Sequence, residues 1–431
     1  MADGERNDGT GTLRGDALAI FQRAVEAADP ASAVRAALEE RAGQIEAAEG
    51  VVLIAFGKAA IQMAEAAIPF LGDKWKAGIA VTHPEAARVV AGLDVYVGGH
   101  PTPTAGSEQG ARAIEAALDE AGDADLVLVL VSGGGSALVA APVEGLTLKD
   151  KIAVNDLLLG CGAPIDEINV VRRKLSRLKG GGLLARAAPA RVLSLILSDV
   201  PGDDPKAVAS GPSVPSADDA EAALRVVERY AIADRLPDAA RRRLREPGHG
   251  RDHTGQDFET VIIGSNAISC AAAAEAASEL GYACERMEGW LDGDVAEAAA
   301  RLHDRLTRQS AGEKPIAIIA GGETTVILSG SGTGGRNQEL ALRFALLDEA
   351  DPATGEWVFL SGGTDGRDGP TDAAGAVVAP DTLKTIRDAG VDPEARLGDN
   401  DSHPALEAGG ALVRTGATGT NVADVQVILL R

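Results

Sequence analysis

The chain has 431 residues, 45% of them apolar and only 3% aromatic, with 64 acidic against 41 basic residues and a net charge of −23. That length accommodates two or three domains, each with its own core. The charge argues against nucleic acid or an anionic membrane surface as a partner, so an anionic ligand must be held by a local basic cluster.

The first 15 residues are polar, and residues 16–48 carry apolar side chains at helical spacing. Short apolar runs then recur, each followed by glycine and a helical pattern: 51–56, 78–81, 126–131, 192–197, 261–263, 316–320, 357–360 and 425–430. Alternation of this kind predicts βαβ units and doubly wound parallel sheets, whose ligands sit beyond the carboxyl ends of the strands. The core is mostly Ala, Val, Leu and Ile, the usual filling of such sheets. The charged, breaker-rich stretch 241–255 marks the best domain boundary. Its His249 and His253 read as part of a solvated linker rather than as metal ligands.

No apolar run is long enough to span a membrane, and the polar N-terminus lacks a signal-peptide core. Cys161, Cys270 and Cys284 have no metal-like spacing and read as free thiols of a reducing compartment. Together these predict a soluble, cytoplasmic protein, a monomer or homodimer. Ten lysines against 31 arginines, with the acidic excess, suggest a GC-rich genome or adaptation to high salt.

The unusual residues lie just past the strand runs. Gly57-Lys58-Ala59-Ala60 places a lysine at a helix start, where its charge opposes the helix dipole unless an anion is present. It is not a phosphate loop of the Walker type, because Val52 and Ala59 stand where glycine and Ser or Thr are required. Ser132-Gly133-Gly134-Gly135-Ser136 offers backbone N–H groups and two hydroxyls, a natural anion nest. Leu138 breaks both the dinucleotide fingerprint and the hydrolase elbow there. The run 169–182 holds the densest positive charge, with Arg172, Lys179, Gly180 and Gly181. Asp199 follows one strand and Asp365, Asp368 and Asp372 another, the places for metal-holding carboxylates, although turn chemistry accounts for some of them. The glycine-rich run 330–335, which leads into Arg336 and a helix, suits close approach to phosphate oxygens with an arginine fork beside them.

Taken in order, these loops resemble the glycerate kinases that form 2-phosphoglycerate, the two-domain type with a C-terminal MOFRL-like domain. The resemblance rests on Gly-Lys-Ala-Ala at 57–60, His-Pro-Thr-Pro at 100–103, Ser-Gly-Gly-Gly-Ser-Ala at 132–137 and Leu-Lys-Gly-Gly at 178–181. It continues with Ser-Asp-Val-Pro-Gly-Asp-Asp at 198–204, Gly-Gly-Arg-Asn-Gln-Glu at 334–339 and Gly-Thr-Asp-Gly at 363–366. Ala417 departs from it, standing where the family usually has proline.

The resemblance implies two Rossmann-like three-layer α/β/α domains, 1–245 and 255–431, with an active-site cleft between them. It also implies ATP, a divalent cation and D-glycerate, with Lys58 and Arg336 as the catalytic pair. The expected division of labour gives the nucleotide phosphates to Ser132, Gly133, Gly134, Gly135, Ser136, Lys179, Gly180 and Gly181. Glycerate falls to Lys58, Arg336 and Asn337, and Mg2+ to Asp199 or Asp365. Relatives labelled hydroxypyruvate reductase make an NAD(P)H-dependent oxidoreductase the alternative. A non-catalytic sensor of an acidic metabolite would not need so many phosphate-suited loops.

Overall fold

The structure, a computed structural model, describes residues 9–216, 220–246, 255–309 and 315–431. His249 and His253 lie outside the described residues. The chain divides into two compact units, Pro30–Ile263 and Met1–Asp29 together with Gly264–Arg431.

The first unit is built on β1 (Gly50–Phe56), β2 (Trp75–Thr82), β3 (Asp94–Val97), β4 (Asp125–Val131), β5 (Arg191–Leu197) and β6 (Phe258–Gly264), in the order β3-β2-β1-β4-β5-β6. The pairings from β3 through β5 are all parallel. Every residue of β1 and β4 is buried, as expected of strands covered on both faces, and this is why they read as unbroken apolar runs. Their side chains pack with those of Ala105–Asp119, a helix that opens on a Thr104/Ser107 capping box. A second, purely helical core lies in the same unit. Helices Leu148–Gly160, Ile165–Lys174, Ala220–Arg229 and Asp238–Arg245 pool Val154, Leu158, Val171, Leu175, Val226 and Leu244.

The other unit holds β7 (Ala283–Arg286), β8 (Ile316–Gly322), β9 (Trp357–Gly363), β10 (Gly375–Val378), β11 (Leu412–Val413) and β12 (Asp424–Leu430). Their order is β11-β10-β9-β12-β8-β7. This sheet is mixed. Among the described residues only β7 and β8 pair in parallel, while β12 enters the middle antiparallel to both β8 and β9. An apolar run records burial but not direction, so the parallel sheet expected from the sequence holds for the first unit and not for this one.

The domain limits differ from 1–245 and 255–431 in two ways. Helix Gly9–Glu26 packs on the second sheet, placing Leu13, Ala17, Ile20, Phe21 and Ala24 in one core with Val358, Leu360, Val425 and Val427. Residues 258–263, on the far side of the charged stretch, still belong to the first unit, where β6 forms a sheet edge. Both segments pair with elements remote in sequence, which local composition cannot register. The single helical reading of 16–48 also resolves into three helices, Gly9–Glu26, Pro30–Glu39 and Ala42–Ala47.

Candidate active site

In a sheet of order 3-2-1-4-5-6 the chain leaves β1 toward one side and β4 toward the other, which opens a crevice at their carboxyl ends. Lys58 and the 132–136 nest follow those two strands directly. The loops are tied together: the Lys58 N–H donates to the Gly133 carbonyl (2.9 Å) and the Ala59 N–H to Ser132 Oγ (3.0 Å). The Thr82 hydroxyl, at the end of β2, donates to the Gly57 carbonyl at 3.0 Å. Ser132 is therefore buried and caps the turn after β1, while Gly133 and Gly134 have no acceptor for their own N–H groups among the described residues. Gly134 sits at φ +80°, in the left-handed region that favours glycine.

Glycine is required here by crowding as well. A β-carbon on Gly133 would strike the Asp199 carboxylate, and one on Gly134 would press on the His100 ring at 3.0 Å and on Lys58 at 3.4 Å. Lys58, His100 and Asp199 thus surround the nest. Lys58, half-buried, makes no ion pair among the described residues. Burial pushes the Asp199 carboxyl above the usual carboxylate range, against the pull of Lys58. Burial, with the Lys58 charge, lowers both His83 and His100, so each imidazole is neutral near pH 7. His83 follows β2 and was not singled out in the sequence. Its only signal is its place at a strand end.

Three other glycine or lysine elements serve the protein itself. The Gly180 and Gly181 N–H groups are buried and donate to the carbonyls of Ser210 and Gly211, at 3.0 and 2.7 Å, so they form no open nest. Lys179 is buried, and its ammonium donates to the Ser136 carbonyl, Ser136 Oγ and the Ala209 carbonyl, at 3.1, 3.0 and 3.2 Å. It holds Ser136, whose hydroxyl also meets Ser210 Oγ at 2.8 Å.

The 330–335 run also differs from expectation. Its N–H groups do meet oxygens, but those of the protein: Gly330 donates to Asn400 Oδ1 (2.9 Å), Ser331 to Asp399 Oδ1 (2.9 Å) and Thr333 to Asp401 Oδ1 (2.8 Å). A β-carbon at Gly330 or Gly332 would collide with residues 399–401. What these glycines admit is a neighbouring loop of the same chain.

Helix Arg336–Ala350 opens on Gly335, and its first N–H groups meet the buried carboxylate of Asp368, Asn337 at 3.1 Å and Gln338 at 2.8 Å. Burial outweighs these bonds and pushes Asp368 up to about 6. Asn337 is 1% exposed, and its amide is shared between Asp368 and the Ser361 hydroxyl, so it fastens the helix and does not face a substrate.

Arg336 lies beside this cap with its fork on Asp424, Nε at 2.6 Å and Nη2 at 2.8 Å, while Nη1 reaches Glu323 at 3.1 Å. Burial opposes its charge, but Asp424 and Glu323 more than compensate and raise its pKa, so it stays charged. Three of its five N–H donors are used in this way, leaving two for a ligand. Asp365 turns back to accept the Arg367 N–H at 3.0 Å and is half-buried. Among the described residues no group of three or more His, Cys, Asp or Glu side chains is arranged to hold a metal ion.

These features define an α/β protein with its polar loops gathered at strand ends, chief among them a lysine beside an open glycine nest. Residues 16–245 match a domain of unknown function (DUF4147) and residues 316–424 the MOFRL family. The chain is 39% identical to a D-glycerate 2-kinase of Thermotoga maritima, over 97% of this chain and 99% of that one. It is 36% identical to the human glycerate kinase, over 97% and 93%. A putative hydroxypyruvate reductase of Agrobacterium vitis is 41% identical over 95% and 93%. The crystal structure of the Thermotoga maritima glycerate kinase superposes with a TM-score of 0.87 at 37% identity, covering 98% of this chain and all of that one. The chain belongs to the glycerate 2-kinase family.

Proposed function

We propose that this protein is a glycerate 2-kinase, a phosphotransferase that moves the γ-phosphoryl group of ATP to the 2-hydroxyl of D-glycerate. The observation that carries this reading is the unpaired Gly133–Gly134 nest at the switch point of the first sheet, with the Lys58 ammonium beside it, in a chain alike over its whole length to glycerate kinases. Oriented N–H groups and a cation that makes no ion pair among the described residues suit phosphoryl oxygens.

In the transfer, the bond from the γ-phosphorus to the bridging oxygen of ADP breaks and one to the glycerate 2-oxygen forms, with loss of the hydroxyl proton. The transition state spreads charge over the equatorial oxygens, so the protein's part is to position groups and supply cations. Lys58 serves as a point charge for glycerate or the phosphoryl oxygens. Arg336, kept rigid by Asp424 and Glu323, offers its two remaining N–H donors to the transferring phosphoryl group. Asp199 is a hard oxygen donor next to the nest and fits magnesium, which commonly takes one or two carboxylates together with phosphate oxygens and water. Bound there, the ion would supply neutralisation of phosphate charge. Asp365, folded back on its own loop, suits this less.

The reductase name carried by some relatives finds no dinucleotide fingerprint after β1, where Ala59 and Gln62 stand at the second and third glycine positions counted from Gly57. Purified protein should release ADP from ATP with D-glycerate and magnesium and leave NADH and NADPH unoxidised with hydroxypyruvate. The opposite pair of results would replace the kinase by a reductase. Phosphorus NMR of the product reads which hydroxyl is modified.

A further inference from the structure

Beside the nest, the first unit encloses a cavity of about 290 Å³. His100, Gly134 and Ser136 form one side of it, and the inward faces of helices Leu148–Gly160 and Ile165–Lys174 form the other. Most of the wall is apolar, yet it carries Lys151, Arg172 and Lys179 and not one carboxylate. Lys179 is committed to Ser136 and Ala209, and Arg172 donates through Nε to Asn155 Oδ1 at 3.0 Å.

Lys151 is different. It is 8% exposed, on the buried face of its helix beside Val154 and Leu158, and its Nζ has no hydrogen-bond partner among the described residues. The charges that bear on it, Arg172 and Arg177, have its own sign. Burial, then those two arginines, lower it to about 7. A buried ammonium with no partner is costly, and three cations around one cavity compound the cost in a chain of net charge −23. No carboxylate lines the cavity to offset this, and methionine would fill the same space. An incoming anion would offset the cost.

We propose that Lys151 and Arg172 form an oxyanion receptor inside this cavity, holding the charged end of a substrate whose less polar part lies along Val154, Leu158 and Leu175. The chemistry recognised is a carboxylate or phosphate group, which the two co-substrates of the proposed reaction share, one as glycerate and the other as nucleotide. The assignment to a substrate rests on the function proposed above. The receptor itself is read by binding without turnover.

The test is calorimetric titration of the full-length chain with ADP and, separately, with D-glycerate, for the native protein, Lys151→Met and Arg172→Gln. Both variants should weaken the same one or both of these ligands by about tenfold or more, as expected for a lost charge-assisted hydrogen bond. Loss of ADP alone makes the cavity the nucleotide subsite, and loss of glycerate alone makes it the acid subsite. Lys151→Met without ligand should melt no lower than the native chain at pH 7. If both dissociation constants stay within about twofold in both variants, the receptor is overturned. Should Lys151→Met fail to fold, Arg172→Gln decides by the same criterion. A chain that lacks kinase turnover but keeps Lys151-dependent binding would remove the proposed function and leave the receptor.

Discussion

Arg336 shows how the surroundings of one residue set its chemistry. Its fork is held in plane by Asp424, so lysine at this position keeps the charge but loses both the bidentate anchor and the direction of the remaining donors. Arg336→Lys should lower turnover by about 10²–10⁴ with little change in ATP binding, read from kcat beside a nucleotide titration. Near-native turnover would remove Arg336 from the chemistry. Lys151 makes a prediction of the opposite kind, about stability. Its folded pKa is depressed to about 7, below the ordinary lysine value of 10.5. Between those values the unfolded chain holds a proton that the native chain has released, so this group's contribution to stability rises with pH across that window. Below pH 7 the native protein carries the full penalty. Ligand-free Lys151→Met should thus exceed the native chain in stability near pH 6 by up to a few kcal/mol, with the gap closing toward pH 10. The groups facing Lys151 are Arg172, Arg177, Lys179 and His100; burial lowers Lys179 well below the ordinary lysine value and His100 below the ordinary imidazole value. Chemical denaturation of both proteins across that range checks the sign.

At the scale of elements, helix Arg336–Ala350 owes its defined start to a carboxylate from another loop. Asp368 accepts two backbone N–H groups and the Gln338 side-chain amide, at 3.0 Å. Asparagine is nearly the same size but would turn an NH₂ group toward some of those donors. Asp368→Asn should cost about 1–3 kcal/mol, with hydrogen exchange at residues 337–340 speeding up first. This element also shows where sequence reading stopped. Most of the eight long strands were legible because unbroken apolar runs go with burial on both faces, whereas β6, only partly buried at the sheet edge, showed as a run of three residues. β3, β7, β10 and β11 were not, being only two to four residues long, and β3 and β7 are also partly exposed. Asp368 stood out as a strand-end carboxylate, but the helix it caps begins 32 residues earlier and on another loop.

At the scale of the whole molecule, the N-terminal helix belongs to a sheet whose strands lie some 300 residues away. Phe21 is 1% exposed, and a β-carbon on Gly362 of β9 would strike its ring. Phe21→Ala should destabilise the unit that contains 264–431 by about 3–5 kcal/mol while leaving the unit of 30–263 nearly unaffected. A two-probe denaturation with reporters in each unit would show that split, and a uniform loss would contradict it.

The sequence by itself determined the α/β class, the main strands, the strand-end position of Lys58, of the Ser132–Ser136 nest and of Asp199, and through the order of its motifs the family. These depend on local pattern, because burial on two faces and a turn after a strand are written in consecutive residues. The tertiary structure decided which glycine run has free N–H groups, since 133–134 are open whereas 180–181 and 330–333 are filled by oxygens of the same chain. It also decided the antiparallel place of β12, the clamping of Arg336 by Asp424, and the isolation of Lys151. Each of these depends on which distant segment arrives beside a group, and a hydrogen-bond donor looks the same in sequence whether its acceptor is a ligand or the protein's own chain.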